Sequence, residues 1–313
     1  MQRFDLSDRF ALVVDGGAQW IGLDRGRVLE ALGRSAFLLN IMGFLSQPEI
    51  LAAAPRRVFL DIDPGFGQMW KALELHDPFA GHDAHVTIGE RVGESDCEVP
   101  GCGIDWIVTA QPIVLAYWPF VDGTLTRFTS VASWRGAYGP IEYRGKTYGL
   151  RVHEFRKFID LPRRVGSSFE IALDIDPKET ADLDRLKAAG WALVDPAQLA
   201  GDPVRYRQYI QGSGAEFMVA KNMYVETRCG WLSDRSLCYL ASGKPVLAQE
   251  TGWSSLYPAG TGLLSFATLE QAEAGARTIA GDYARHSRAA RALAEEHFDS
   301  KKILTRLLAA LGC

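Results

Sequence analysis

The stretch GWLSDRSLCYLASGKPVLAQETGW, residues 230–253, decides how this chain is read. It encodes a short helix, SDRSLCYLASG (233–243), running directly into an apolar strand, PVLAQET (245–251). Ser233 is a good helix N-cap, and Asp234 suits a first turn, where a carboxylate meets the positive end of the helix dipole. Gly243 can take the left-handed conformation that ends a helix, and Pro245 starts the next strand. Arg235 fits this grammar poorly, because a cation in the first turn works against the dipole. It is comfortable there when an anion sits between it and the free N–H groups, and helix N-termini and arginines both grip phosphate. Lys221, at the end of the strand AEFMVAKN (215–222), reaches the same sheet edge. The pair suggests a diphosphate site. Local ion pairing with Glu226 and Asp234 is the purely structural alternative.

Outward from this stretch, apolar runs alternate with amphipathic ones. Upstream, FALVVDG (10–16), FLLNIMGFL (37–45), RVFLDIDPG (57–65) and AHVTIGE (84–90) read as strands. DRGRVLEALGRS (24–35), QPEILAAAP (47–55) and GFGQMWKALEL (65–75) read as helices. The rhythm breaks between 117 and 166, in a stretch rich in Trp, Tyr, Gly and Pro. A junction is placed near Pro119–Asp122, after which FTSVASW (128–134) opens a second unit and PIEYRGKTYG reads as a hairpin turning at Arg144-Gly145. Strands then fall at 168–176, 191–196, 215–222, 245–251 and 262–266, with helices at 178–190, 202–214 and 233–243. Residues 268–311 are helical, with a break near His297–Ser300. The alternation predicts an α/β chain of two Rossmann-like domains, 1–119 and 120–313, each with a parallel sheet between helices. Asp-Ile-Asp-Pro recurs at 61–64 and 174–177 after apolar strands. In such folds ligands bind at the carboxyl edge of the sheet.

The 313 residues suit two domains of moderate size. A net charge of −4 sets a general nucleic-acid binder aside. No apolar run reaches the roughly 18 residues of a membrane helix, and MQRFDLSDRF lacks the apolar core of a signal peptide. The five cysteines are odd in number and sparse, which fits free thiols in a reducing cytoplasm. Cys97 and Cys102 form C-x4-C without a second pair, so two ordinary thiols are favoured over a zinc site.

Four stretches carry a family resemblance. YLASGKPVLAQETG (239–252) and YPAGTGLLSFATLEQA (257–272) resemble the donor-binding half of GT-B glycosyltransferases. GWLSDRSLCYLASG is most similar to the spore-maturation-type branch, in which a Ser-Arg pair opens the helix, and SRAARALAEEHFDSKKILTRLL (287–308) resembles the C-terminal helical tail. The resemblance spans about 120–312, and 1–119 matches an acceptor-side domain more loosely. It implies two Rossmann-like domains whose parallel sheets face a cleft, with nucleotide sugar bound by the second. Lys221 and the helix head Ser233-Asp234-Arg235 would hold the diphosphate. Thr251, Gly252 and Trp253 would line the sugar pocket, and Val194 and Asp195 would face the nucleobase. No metal or other cofactor is implied, because side chains and the helix dipole neutralise the leaving group.

An acceptor-activating base is expected from the N-terminal domain. Asp61 and Asp63, at one strand end, and His85, at the start of another, are the candidates. Asp61-Ile-Asp63 also reads as the metal–nucleotide D-x-D motif of a different glycosyltransferase fold, but the two-domain pattern argues against that. Two features depart from the family. Cys238 stands where many members carry a ribose-holding Glu, and the N-terminal domain shows too few βα units before Phe37, as if partial. The expected function is sugar transfer from a nucleoside-diphosphate donor to a hydroxyl of a glycan, lipid or small molecule. A non-catalytic or truncated relative and a sugar-nucleotide epimerase of the same fold are the alternatives.

Overall fold

The computed structural model describes residues 1, 4–14, 17–136 and 138–313. Its strands are β1 (Ala11–Val14), β2 (Gln19–Gly22), β3 (Leu38–Ile41), β4 (Arg57–Asp61), β5 (Ala84–Thr87), β6 (Trp106–Val108) and β7 (Phe128–Ser133). There follow β8 (Ile141–Tyr143), β9 (Lys146–Tyr148), β10 (Phe169–Asp174), β11 (Trp191–Val194), β12 (Ala215–Met218), β13 (Val246–Gln249) and β14 (Leu263–Phe266). Two parallel sheets dominate. One has the order β3-β4-β5-β6, the other β11-β10-β7-β12-β13-β14. The α/β expectation therefore holds. The strands of the second sheet read as continuous apolar runs because helices cover both faces, and every residue of β12 and β13 is buried.

The N-terminal segment departs from expectation. β1 pairs antiparallel with β2 in a separate ribbon. The few residues between them are too short for the crossover that parallel pairing needs. Asp15 and Gly16, the end of the expected strand, lie outside the described residues. β6 was not anticipated either, being only three residues long. The hairpin β8–β9 turns at Arg144-Gly145 as read. It leans on the first sheet's side of the molecule: the Tyr148 hydroxyl and Lys146 Nζ both donate to Glu98, and the Tyr138 ring lies 4.9 Å from that of Trp70.

The helix Asp234–Ala241 follows its N-cap Ser233, and Gly243 has φ +74°, the left-handed turn the sequence predicts. The helical end comprises Leu269–Gly281, Tyr283–Leu293, a π turn Ala294–Phe298 and Ser300–Ala310. Its break falls at Asp299, whose side chain accepts from Lys301 N. The last helix returns to the first sheet, where Leu311 is buried with Val58 and Val86 and flanked by Ile107 and Leu307. Ile113 ties this return to the link between the sheets, its N–H donating to Phe298 O at 2.8 Å and its carbonyl accepting from Ser300 N at 3.0 Å. Among the described residues, no helix is long and apolar enough to cross a membrane.

Candidate functional site

The carboxyl edges of the two parallel sheets face each other. Asp63 lies just beyond the end of β4, and it accepts hydrogen bonds from Lys221 Nζ and the Tyr224 hydroxyl, both just beyond β12. The same joint continues through Arg91 N to Cys229 O at 3.0 Å and Glu98 N to Thr227 O at 2.9 Å. Lys221 caps the helix Asn222–Thr227, and its ammonium lies 5.5 Å from the Phe66 ring centroid and 5.2 Å from that of Tyr224.

Asp61 is different from its neighbour. It is 2% exposed and accepts from Gln68 Nε2 at 2.6 Å, Thr87 Oγ1 at 2.9 Å and Asp63 N at 3.0 Å. Burial pushes its pKa up to about 6. It shapes the turn that presents Asp63, with both of its carboxylate oxygens engaged within the N-terminal sheet. His85 is likewise enclosed. It sits within β5, before the carboxyl end, with a ring nitrogen 3.2 Å from Phe79 O among the rings of Phe59, Phe79 and Trp106. Burial lowers its pKa.

Arg235 has a partner that the helix grammar did not reveal. Its Nε donates to Glu216 Oε1 at 2.6 Å and its Nη1 to Val131 O at 2.8 Å, leaving the residue 8% exposed. Glu216 on β12 is fully buried, and an uncompensated buried carboxylate is costly. The arginine therefore runs inward to the sheet rather than outward to a ligand. The signal was present in the sequence as a Glu inside the apolar strand AEFM. Ser233 is buried and makes no side-chain cap bond, while Asp234 is exposed. Cys238 is buried, with Sγ 3.4 Å from Asp234 O.

The expected sugar-pocket residues are packed into the joint. Thr251 is buried and its hydroxyl donates to Trp231 O. Gly252 has φ +97°, and a Cβ there would meet Arg228 O and the Arg91 guanidinium at 2.8 Å. Trp253 is fully buried, its indole N–H on Gln249 O at 3.0 Å. None of the three faces open space, and at Gly252 the Arg91 side chain fills it.

Arg151 was missed by sequence reasoning. It opens the helix Arg151–Phe155, after the β8–β9 hairpin, where no helix was anticipated. Its Nε donates to Val219 O at 3.1 Å and its Nη1 to Ser133 O at 3.2 Å, so it spans the carboxyl ends of β7 and β12. It has no carboxylate within ion-pair distance among the described residues. Burial, and next the charge of Arg235, lower its pKa to about 10. Below it, buried Glu154 accepts from Gln249 Nε2 at 2.6 Å and Asn222 Nδ2 at 2.7 Å. That network fixes the helix of Arg151 against the one that Lys221 caps.

Further along the same edge, Val194 and Asp195 line a cavity of about 730 Å³ with Val131, Leu173 and Pro196. Asp195 also caps the helix Pro196–Ala200 through Ala197 N at 2.9 Å. A second cavity of about 450 Å³ adjoins it, lined by Ser133, Arg135, Asp176 and Glu179, and the two share Asp174 and Ile175. Among the described residues no cluster of His, Cys, Asp or Glu is placed to hold a metal ion.

No family model and no curated protein matches this sequence. Solved structures do match. An α-glucosyltransferase with UDP and a 13-mer DNA aligns over 92% of this chain and 83% of its own, with TM-score 0.58 and 11% identity. AviGT4, a glycosyltransferase of avilamycin A biosynthesis, aligns over 91% and 77%, with TM-score 0.54 and 14% identity. A glycosyltransferase from Rickettsia africae ESF-5 aligns over 93% and 83%, with TM-score 0.53 and 12% identity. The expectation of no nucleic-acid acceptor gains no support from these neighbours, since one of them holds DNA. At such identities the likeness speaks for architecture, and by that measure the chain has the GT-B fold of these glycosyltransferases.

Proposed function

We propose that the chain is a glycosyltransferase that moves a sugar from a nucleoside-diphosphate donor to an acceptor hydroxyl. The observation that carries this reading is the pairing of Arg151 and Lys221 at the β7–β12 edge, facing Asp63 across the cleft. The donor diphosphate takes the place of Asp63 on Lys221 and receives the remaining N–H groups of Arg151. As the sugar–phosphate bond breaks, charge grows on the diphosphate, and fixed cations in a partly desolvated site stabilise it. Two side-chain cations can do this without a metal. Residues 1–119 form the acceptor side, and Asp63, released from Lys221 but still oriented by Tyr224, takes the acceptor proton. The acceptor is a glycan, a lipid or a small molecule. The closed packing at Thr251–Trp253 favours a second reading, a non-catalytic glycosyltransferase-like binding protein. Donor turnover separates the two.

Thermal unfolding with UDP, GDP, ADP, dTDP and UDP-glucose tests the donor site. A ligand at about 100 times its Kd adds about 2.7 kcal/mol. One nucleotide is expected to stabilise the wild type, and Arg151→Met and Lys221→Met to fold but lose that shift. Arg235→Met should instead lower stability without ligand by about 3–5 kcal/mol, because it strands buried Glu216. A folded wild type that responds to none of these nucleotides ends the donor reading.

A further inference from the structure

We propose that Asp174 reads the donor's ribose, accepting hydrogen bonds from its vicinal hydroxyls; this rests on the nucleotide-donor reading above. The strand order β11-β10-β7-β12 sets the carboxyl ends of four strands in a row. Along that row stand Val194 and Asp195, then Asp174, then Ser133, then Val219 with Lys221 just beyond. Neighbouring strands lie about 4.8 Å apart, so the row spans about 14 Å. A diphosphate held by Arg151 and Lys221 at one end leads its nucleoside along the edge towards β11. The far end is an apolar slot walled by Val131, Leu173, Leu193 and Val194, suited to a planar base. Between base and phosphate, the group at hand is Asp174.

Asp174 is exposed, lines both cavities where they meet, and has no side-chain hydrogen bond or ion pair among the described residues. Its acidic neighbours on this edge are engaged. Asp176 accepts from Lys178 N at 2.9 Å, Glu179 pairs with Arg135, and Asp195 caps Ala197. On the helix Asp234–Ala241, Cys238 offers no carboxylate there, being buried with its thiol on Asp234 O. A carboxylate suits a diol because its two oxygens accept two O–H donors in charge-assisted bonds. Neither a purine nor a pyrimidine is required, so the contact selects the sugar of the nucleotide and not its base.

Calorimetric titration tests this with UDP, CDP, ADP and GDP, each beside its 2′-deoxy form, against wild type, Asp174→Asn and Asp174→Ala. The wild type should prefer the ribo form of its nucleotide by roughly tenfold or more. Asp174→Ala should weaken the ribo form far more than the deoxy form, so that the preference falls towards one, with Asp174→Asn in between. Nucleotide binding with the ribo preference unchanged in Asp174→Ala overturns the assignment and leaves the donor site standing. So does a wild type that binds both sugar forms equally. If no nucleoside diphosphate binds the folded wild type, the donor reading falls, and the ribose assignment falls with it.

Discussion

Asp61 and Asp63 are two residues apart and have opposite surroundings. Asp63 meets two donors from the facing sheet, whereas Asp61 is sealed under its own turn. Period-two geometry cannot tell them apart in a strand end, because both point to one face. Burial holds the Asp61 proton until about pH 6, while an unfolded chain releases it near 4. The native state therefore binds this proton more tightly than the unfolded state does. Its stabilising contribution is full below about pH 4 and is lost as pH rises towards 6. Urea unfolding of wild type and Asp61→Asn at pH 4 to 7 should show the wild type losing about 2 kcal/mol relative to the variant across that range. A difference that stays flat with pH would refute the raised pKa. The identity of Arg235's partner was beyond the sequence for a similar reason. Glu216 and Arg235 are 19 positions apart, and only the docking of helix on sheet brings them together.

Among the elements, the parallel strands and their crossover helices were legible because burial on both faces leaves long apolar runs. β6 and the helix Arg151–Phe155 were not, since elements of three and five residues carry too little periodicity to register. The cost of missing that helix was Arg151, the cation that best marks the site. The terminal helix was visible as a periodic stretch, but its docking was not. Leu311 completes a small core with Val58 and Val86 on the first sheet, more than 200 positions upstream. Leu311→Ala should cost about 2–5 kcal/mol. Hydrogen exchange should then quicken at β4 and β5 before β12 and β13. Uniform loss of protection across both sheets would show that the helix does not brace the first sheet selectively.

At the scale of the molecule, the two sheets are held edge to edge by the residues proposed to do the chemistry. Without donor, Lys221 is satisfied by Asp63, so the N-terminal carboxylate occupies the position assigned to a phosphate oxygen. Donor binding must break that pair, and the lost contact subtracts from the affinity measured. Asp63→Asn removes the competing charge while keeping the shape of the side chain, so the nucleoside diphosphate should bind about tenfold tighter, a gain of about 1.4 kcal/mol. The same substitution removes the proposed base, and sugar transfer should fall by roughly 10²–10⁴-fold. The two effects have opposite signs, which separates them from general damage to the fold, since damage lowers both. Tighter binding with unimpaired transfer would keep the counter-ion and dismiss the base. Weaker binding would mean that Asp63 positions Lys221 for the donor instead of competing with it.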